Sequence, residues 1–197
     1  TRGNRYKLSS VYLEKEFYNT PSIINIINKK DYNILKPILS IINSRLLTWY
    51  HLKVNPKANA ETSIPKILIN DVRNLPISIN IESNTEKFAE KAELMLTYNK
   101  ELKEQSQKFQ RSLQRKFELD SLPKKLENWY ELSFTEFVKE LAKKKVKLSL
   151  SEEAEWEDYF LQEQQKAVAI KNEIVATDKA IDKMVYDLYG LSEEEIS

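Results

Sequence analysis

The sequence predicts an α+β fold: a small mixed α/β front domain, then a long coiled-coil-like antiparallel helical hairpin with short helices at its tip. Three observations predict it. Short β-branched runs alternate with turn residues as far as about residue 84, apolar residues recur every seven positions in two later segments, and charge balance changes sign between the two parts. The boundary is therefore set at 1–84 and 85–197. A chain of 197 residues has room for one domain, or for a small domain with an appendage.

In the front part, Tyr6-Lys7-Leu8 and Val11-Tyr12-Leu13 have strand character, as does the run from Ser22 to Ile27, which Asn28-Lys29-Lys30-Asp31 ends as a turn. From Tyr32 to Leu52 the apolar residues Ile34, Leu35, Ile38, Leu39, Ile42, Leu46, Leu47 and Trp49 fall at helical spacing. Pro37 is tolerated in the first turn, and the helix stops before Asn55-Pro56 because a residue preceding proline avoids the helical region. Residues 53–64 are polar and aperiodic, hence a loop. Lys66-Ile67-Leu68-Ile69 reads as a strand, Asn70-Asp71 and Asn74-Leu75-Pro76 as turns, and the alternating Ile77-Ser78-Ile79-Asn80-Ile81 as a half-buried strand.

The back part carries two heptad series, Phe88, Met95, Leu102, Phe109 and Phe160, Ala167, Ile174, Ile181, Leu188. Such spacing predicts two helices of roughly 30 residues, each about 45 Å long at 1.5 Å per residue, packed along one seam. Between them, Leu122-Pro123 and the apolar residues from Leu126 to Leu141 predict two short amphipathic helices that turn the chain back. Ser133 and Glu136 form a capping box for the second, Ser151 precedes the acidic start of the return helix, and Gly190 stops it.

Composition excludes much chemistry. There are no cysteines, so disulfides and thiolate metal sites are ruled out and a reducing cytoplasm is compatible. Gly3 and Gly190 are the only glycines, which leaves no Gly-rich phosphate loop and no S-adenosylmethionine pocket of the usual Gly-containing kind. The one histidine, His51 beside Tyr50, reads as a surface or boundary residue rather than a base, and a Ser–His–Asp set or a His-bearing metal site has no other histidine to draw on. The acids Glu152, Glu153, Glu155, Glu157 and Asp158 point in different directions on a helix and read as a solvated helix start. No Asn/Asp-Pro-Pro-aromatic motif is present; Asn55-Pro56 is followed by Lys57. Residues 1–84 hold 12 Lys/Arg and 6 Asp/Glu, leaving 19 and 24 for residues 85–197, so a polyanion would meet the front. No apolar run is long enough to span a membrane, and the opening Thr1-Arg2-Gly3 without an initiator methionine fits a piece of a longer protein.

Ile41-Ile42-Asn43-Ser44-Arg45-Leu46-Leu47, then Pro65-Lys66-Ile67-Leu68-Ile69 and Asn74-Leu75-Pro76-Ile77, resemble the TaqI-like C-terminal specificity domain of N6-adenine DNA methyltransferases and of the fused Type IIG restriction–modification enzymes. They are also similar to the target-recognition domains of Type I specificity subunits. The close of the chain, from Ile181 to Ile196, resembles the tail of such enzymes. Ile64 stands before Pro65 where the family often has an aromatic.

The resemblance implies a bacterial cytoplasmic enzyme whose upstream methyltransferase domain binds S-adenosylmethionine, with Mg where the parent also cleaves, while residues 1–84 form the C-terminal part of a target-recognition domain on double-stranded DNA. The hairpin then acts as a spacer. Neither catalytic, cofactor nor metal residues are expected in this chain. Candidate DNA contacts are the basic residues near loops, Arg2, Arg5, Lys7, Lys29, Lys30, Lys53, Lys57 and Arg73, for phosphate, and Asn55, Asn59 and Asn70 for adenine edges. Asn43 and Ser44 are read as scaffold. A second reading makes the chain a protein-interaction scaffold whose hairpin docks a partner; a basic front that is scattered rather than gathered on one face favours it.

Overall fold

A computed structural model describes residues 8–15, 18–20, 23–28, 34–55, 67–78 and 80–196. Eight helical elements lie among them: α1 (Leu35–Asn43), α2 (Arg45–Val54), α3 (Ile69–Arg73), α4 (Ile81–Lys116), a 3-10 helix η1 (Lys124–Glu131), α5 (Phe134–Ala142), α6 (Leu150–Tyr189) and α7 (Glu193–Ile196). The chain divides into two compact units, residues 1–94 with 177–197, and residues 95–176.

The α+β expectation is overturned: among the described residues there is no strand. A strand exists only where a neighbouring chain takes its backbone groups, and β-branched runs announce a preference without supplying that neighbour. In three of the expected strands, side chains take backbone groups instead. Leu8 and Val11-Tyr12-Leu13 are irregular, and beside them Ser10 donates its backbone N–H to Asn43 Oδ1 at 2.7 Å. Residues 23–27 are irregular, with the Ile23 carbonyl accepting from the Asn19 amide at 3.0 Å. Ile69 opens α3 because the Asp71 carboxylate accepts the Leu68 N–H at 2.7 Å, so Asn70-Asp71 is a helix start rather than a turn. Ile81 opens α4. Tyr6, Lys7, Ser22, Lys66 and Ile79 lie outside the described residues.

In the first unit, the expected single helix over 32–52 is two. Ser44 is extended (φ −67°, ψ 158°), and its hydroxyl donates to the Ile41 carbonyl at 2.7 Å while accepting the Leu47 N–H at 3.3 Å, so it ends α1 and caps α2. α1 buries Pro37, Ser40, Ile41 and Ile42. Against α4, Ser40 Oγ donates to the Phe88 carbonyl at 3.4 Å and Lys36 pairs with Glu93 at 2.5 Å. The start of α2 is held by α6, where Asp182 Oδ1 accepts the Arg45 N–H at 2.8 Å. Ile181 and Val185, flanking that acid, are buried with Ile41, Leu47, Phe88 and Ala92. Gly190, at φ +67°, terminates α6, a conformation in which any Cβ is strained.

In the second unit, α4 and α6 run antiparallel. Phe109 meets Tyr159 and Phe160, Phe117 meets Trp156, and Gln105 Nε2 donates to Glu163 Oε2 at 2.6 Å. The heptad residues Phe109, Phe160 and Ala167 are fully buried with Leu113, Leu126, Trp129, Phe137 and Leu141 in one cluster. Phe109 stacks on Trp129 with ring centroids 3.7 Å apart. The seam also buries a charge: Glu163 holds Gln105 and, at 2.5 Å, Lys166.

α5 and α6 are capped from their own sequence. Ser133 and Glu136 form the expected box at α5; at α6 the cap is Ser149 with Glu152, two residues before the expected Ser151. Glu136 and Glu152 are held below the ordinary carboxylate range, first by the serine backbone N–H groups and then by the serine hydroxyls. A lowered folded pKa means stability present above the unfolded value and lost as pH falls through the folded one. Between pH 6 and pH 3, the thermal midpoint of the wild type is expected to fall further than that of Glu136→Gln/Glu152→Gln; equal slopes would remove the caps as acid-sensitive elements.

Candidate nucleic-acid interface

α2 has two unlike sides. Leu47 and His51 are buried on one, while Arg45, Trp49 and Lys53, spaced i, i+4 and i+8, form an exposed stripe on the other. Trp49 is 56% exposed, a large aromatic surface left in water beside two cations. Arg45 is anchored at one end of the stripe, its Nε 3.5 Å from Asp182 Oδ2. The neighbouring Tyr186 phenol is pushed up by burial and by the Asp182 carboxylate, with Arg45 acting against them.

The other end of α2 is tied to α3. Asn55 Nδ2 donates to Asp71 Oδ2 at 3.1 Å, and that carboxylate also caps α3. The bond joins Lys53, in the last turn of α2, to the helix that exposes Asn70 and Arg73. Four of the sequence candidates thus belong to two linked helix ends. Lys53, Asn70 and Arg73 are exposed; Asn55 is half-buried with its amide engaged by Asp71. Arg2, Arg5, Lys7, Lys29, Lys30, Lys57 and Asn59 lie outside the described residues, as does most of the expected 53–64 loop.

Other sequence readings meet specific surroundings. Asn43 bonds to Ser10 through both ends of its side-chain amide, and Ser44 to the Ile41 carbonyl. His51 is buried at 3% exposure rather than lying at the surface. Glu152 caps α6, and among the described residues no group of three His, Cys, Asp or Glu is placed to hold a metal ion.

Sequence reasoning misses Arg45 and Trp49. In sequence, Trp49 is one more apolar residue at helical spacing, and Arg45 lies inside a motif that reads as scaffold. The signal that finds them is the Arg-x3-Trp-x3-Lys spacing, which places all three on the side of α2 opposite Leu47 and His51.

Residues 81–185, more than half of the chain, match the family model described as Domain of unknown function (DUF8810). The chain belongs to this DUF8810 family. The DUF8810 match begins at the first residue of α4 and ends four residues before the last residue of α6, so it takes in α4, η1, α5 and nearly all of α6. Residues 2–77, ahead of the DUF8810 segment, match the TaqI-like C-terminal specificity domain, the family that the motifs around Asn43 and Pro65 resemble. That segment contains the α2 stripe and α3. Comparison with curated proteins and with solved structures returns no match. No helix among the described residues is long and apolar enough to cross a membrane.

Proposed function

We propose that the chain recognises a specific sequence in double-stranded DNA as the specificity segment of a restriction–modification enzyme, an adenine-specific methyltransferase or a fused endonuclease–methyltransferase of the bacterial cytoplasm. The match of residues 2–77 to a specificity domain carries this reading. Arg45 and Lys53, on one exposed side of α2, support it, since cations that hold phosphates must share a face to follow a backbone, and the Asn55–Asp71 bond ties the helix bearing Arg73 to the end of α2. In this division of labour the cofactor S-adenosylmethionine, and Mg where the enzyme cleaves, are held by other parts of the parent, and the DUF8810 helices act as a spacer.

The test is binding of the full chain to a pool of random 30-base-pair duplexes across 50–200 mM salt, followed by sequencing of the bound fraction. Lys53→Glu/Arg73→Glu is expected to weaken binding at 0.1 M salt by about tenfold or more and to flatten the salt dependence by roughly 2 in slope, about 0.9 for each phosphate no longer neutralised. Enrichment of one sequence supports recognition; salt-dependent binding without enrichment leaves a non-specific binder. A second reading, a protein-docking module, draws on the exposed Val54, Leu68 and Ile69 beside the same cations. It gains if no duplex is bound at 50 mM salt.

A further inference from the structure

The count over residues 85–197 hides a second basic region. Residues 108–147 hold 11 Lys/Arg against 6 Asp/Glu, and residues 148–197 hold 4 against 13. The fold gathers part of this excess. Lys125 on η1 and Lys143 at the end of α5 converge on one carboxylate, Glu140, at 3.9 and 2.6 Å. Lys144 Nζ donates to Ser121 Oγ at 3.1 Å. Lys124 and Lys145 sit beside them in sequence, and all five lysines are exposed.

Stability explains only part of this cluster. Cations favour the C-terminal end of a helix, which accounts for Lys143 and Lys144 at the end of α5. Lys124 and Lys125 occupy the first turn of η1, where the backbone N–H groups already repel positive charge. Lys145 adopts φ +63°, a left-handed conformation that glycine or asparagine takes at less cost. Lys124 and Lys145 therefore hold lysine against the local preference, whereas Lys125 and Lys143 answer the Glu140 carboxylate.

We propose that this lysine cluster is a second phosphate-binding surface for duplex DNA, separate from the α2–α3 face and independent of base sequence. The inference rests on the reading of the chain as a DNA-recognition segment. Duplex is favoured over single strands because the aromatic residues between the lysines are already engaged: Trp129 and Phe137 are buried, the half-buried Phe134 packs on Phe137 and Phe160, and Lys171 lies over the half-buried Tyr130 ring. Leu126 and Leu141 are buried too, so the cluster lacks the apolar anchors at the centre of a protein interface.

The test uses the full chain with Lys124→Gln/Lys144→Gln/Lys145→Gln, which leaves Lys125 and Lys143 on Glu140. Far-UV circular dichroism and the thermal midpoint verify that the variant folds. Binding to any duplex is expected to weaken by about a hundredfold or more at 0.1 M salt, the salt slope to drop by roughly 2–3, and sequence preference to stay unchanged. Wild-type affinity and slope in a folded variant would overturn the lysine surface while leaving recognition by residues 2–77 intact. Absence of duplex binding by the wild type at 50 mM salt would remove both readings. Single-stranded RNA or DNA of equal phosphate count displacing duplex from the wild type, but not from the variant, would overturn the choice of duplex.

Discussion

Phe109→Ala is expected to lower the free energy of unfolding by about 3–5 kcal/mol, the range for removing a large buried aromatic. Phe109 lies where four elements meet. Its ring stacks on Trp129 of η1, lies 5.6 Å from Tyr159 of α6 and nearly parallel to it, and touches Phe137 of α5 at 5.9 Å. No single neighbour can move into the space, because Trp129 and Phe160 are themselves fully buried and in edge contact with each other. The cavity therefore persists, and the dispersion attraction that the ring supplied is not regained. Phe109→Leu keeps much of the volume and should cost clearly less. Urea denaturation of both variants checks the order; a loss below about 1 kcal/mol for alanine would mean that the α4–η1 packing collapses around the gap.

Asp182→Ala should be the next most damaging change, at about 2–3 kcal/mol, the size of a hydrogen bond to a buried charge together with the donor it strands. The first N–H groups of a helix have no partner inside it. In α2, Ser44 takes the Leu47 N–H and Asp182 takes the Arg45 N–H, so a residue 137 positions away completes the cap. Its negative charge also sits at the positive end of the helix. The damage should reach function, because Arg45 starts the exposed stripe and loses the carboxylate that fixes its guanidinium. Asp182→Asn should recover part of the stability. A double-mutant cycle with Arg45→Ala separates the backbone bond, which persists in that variant, from the ion pair. Additive losses would show that the side-chain pair contributes nothing.

Long-range order in this chain is most legible where it is periodic. The seven-residue series ending at Phe109 and beginning at Phe160 locate the seam, because helix geometry alone sets which residues share a face. Both long helices exceed the expected 30 residues, at 36 and 40, and α6 starts at its Ser149 cap, well ahead of its first heptad residue Phe160. Ser133 is readable as a cap, whereas Ser149 is hidden behind Ser151, two serines two residues apart before the same acidic run.

The front half misleads for a different reason. Alternation and β-branching describe one chain segment, whereas a sheet is a relation between two. Nothing local says that Asn43, Asn19 and Asp71 will take the backbone groups a ladder would have used. The break at Ser44 is hidden by the continuous apolar spacing on either side of it. The α2 stripe is hidden because an exposed tryptophan looks, in sequence, like a buried one.

Glu163 has an evolutionary corollary. It is a carboxylate closed into an apolar seam, opposite Gln105, between Phe160 and Ala167. A single inserted residue in this stretch of α6 would swing everything beyond it by about 100°. The acid or its neighbours would then face the wrong way, at the cost of an uncompensated buried charge. Deletions and duplications here are thus filtered by angle rather than by length. Lineages carrying this hairpin are expected to lengthen or shorten it in whole heptads, in both helices at once, and to accept point changes on its outer face far more freely than any change in residue count.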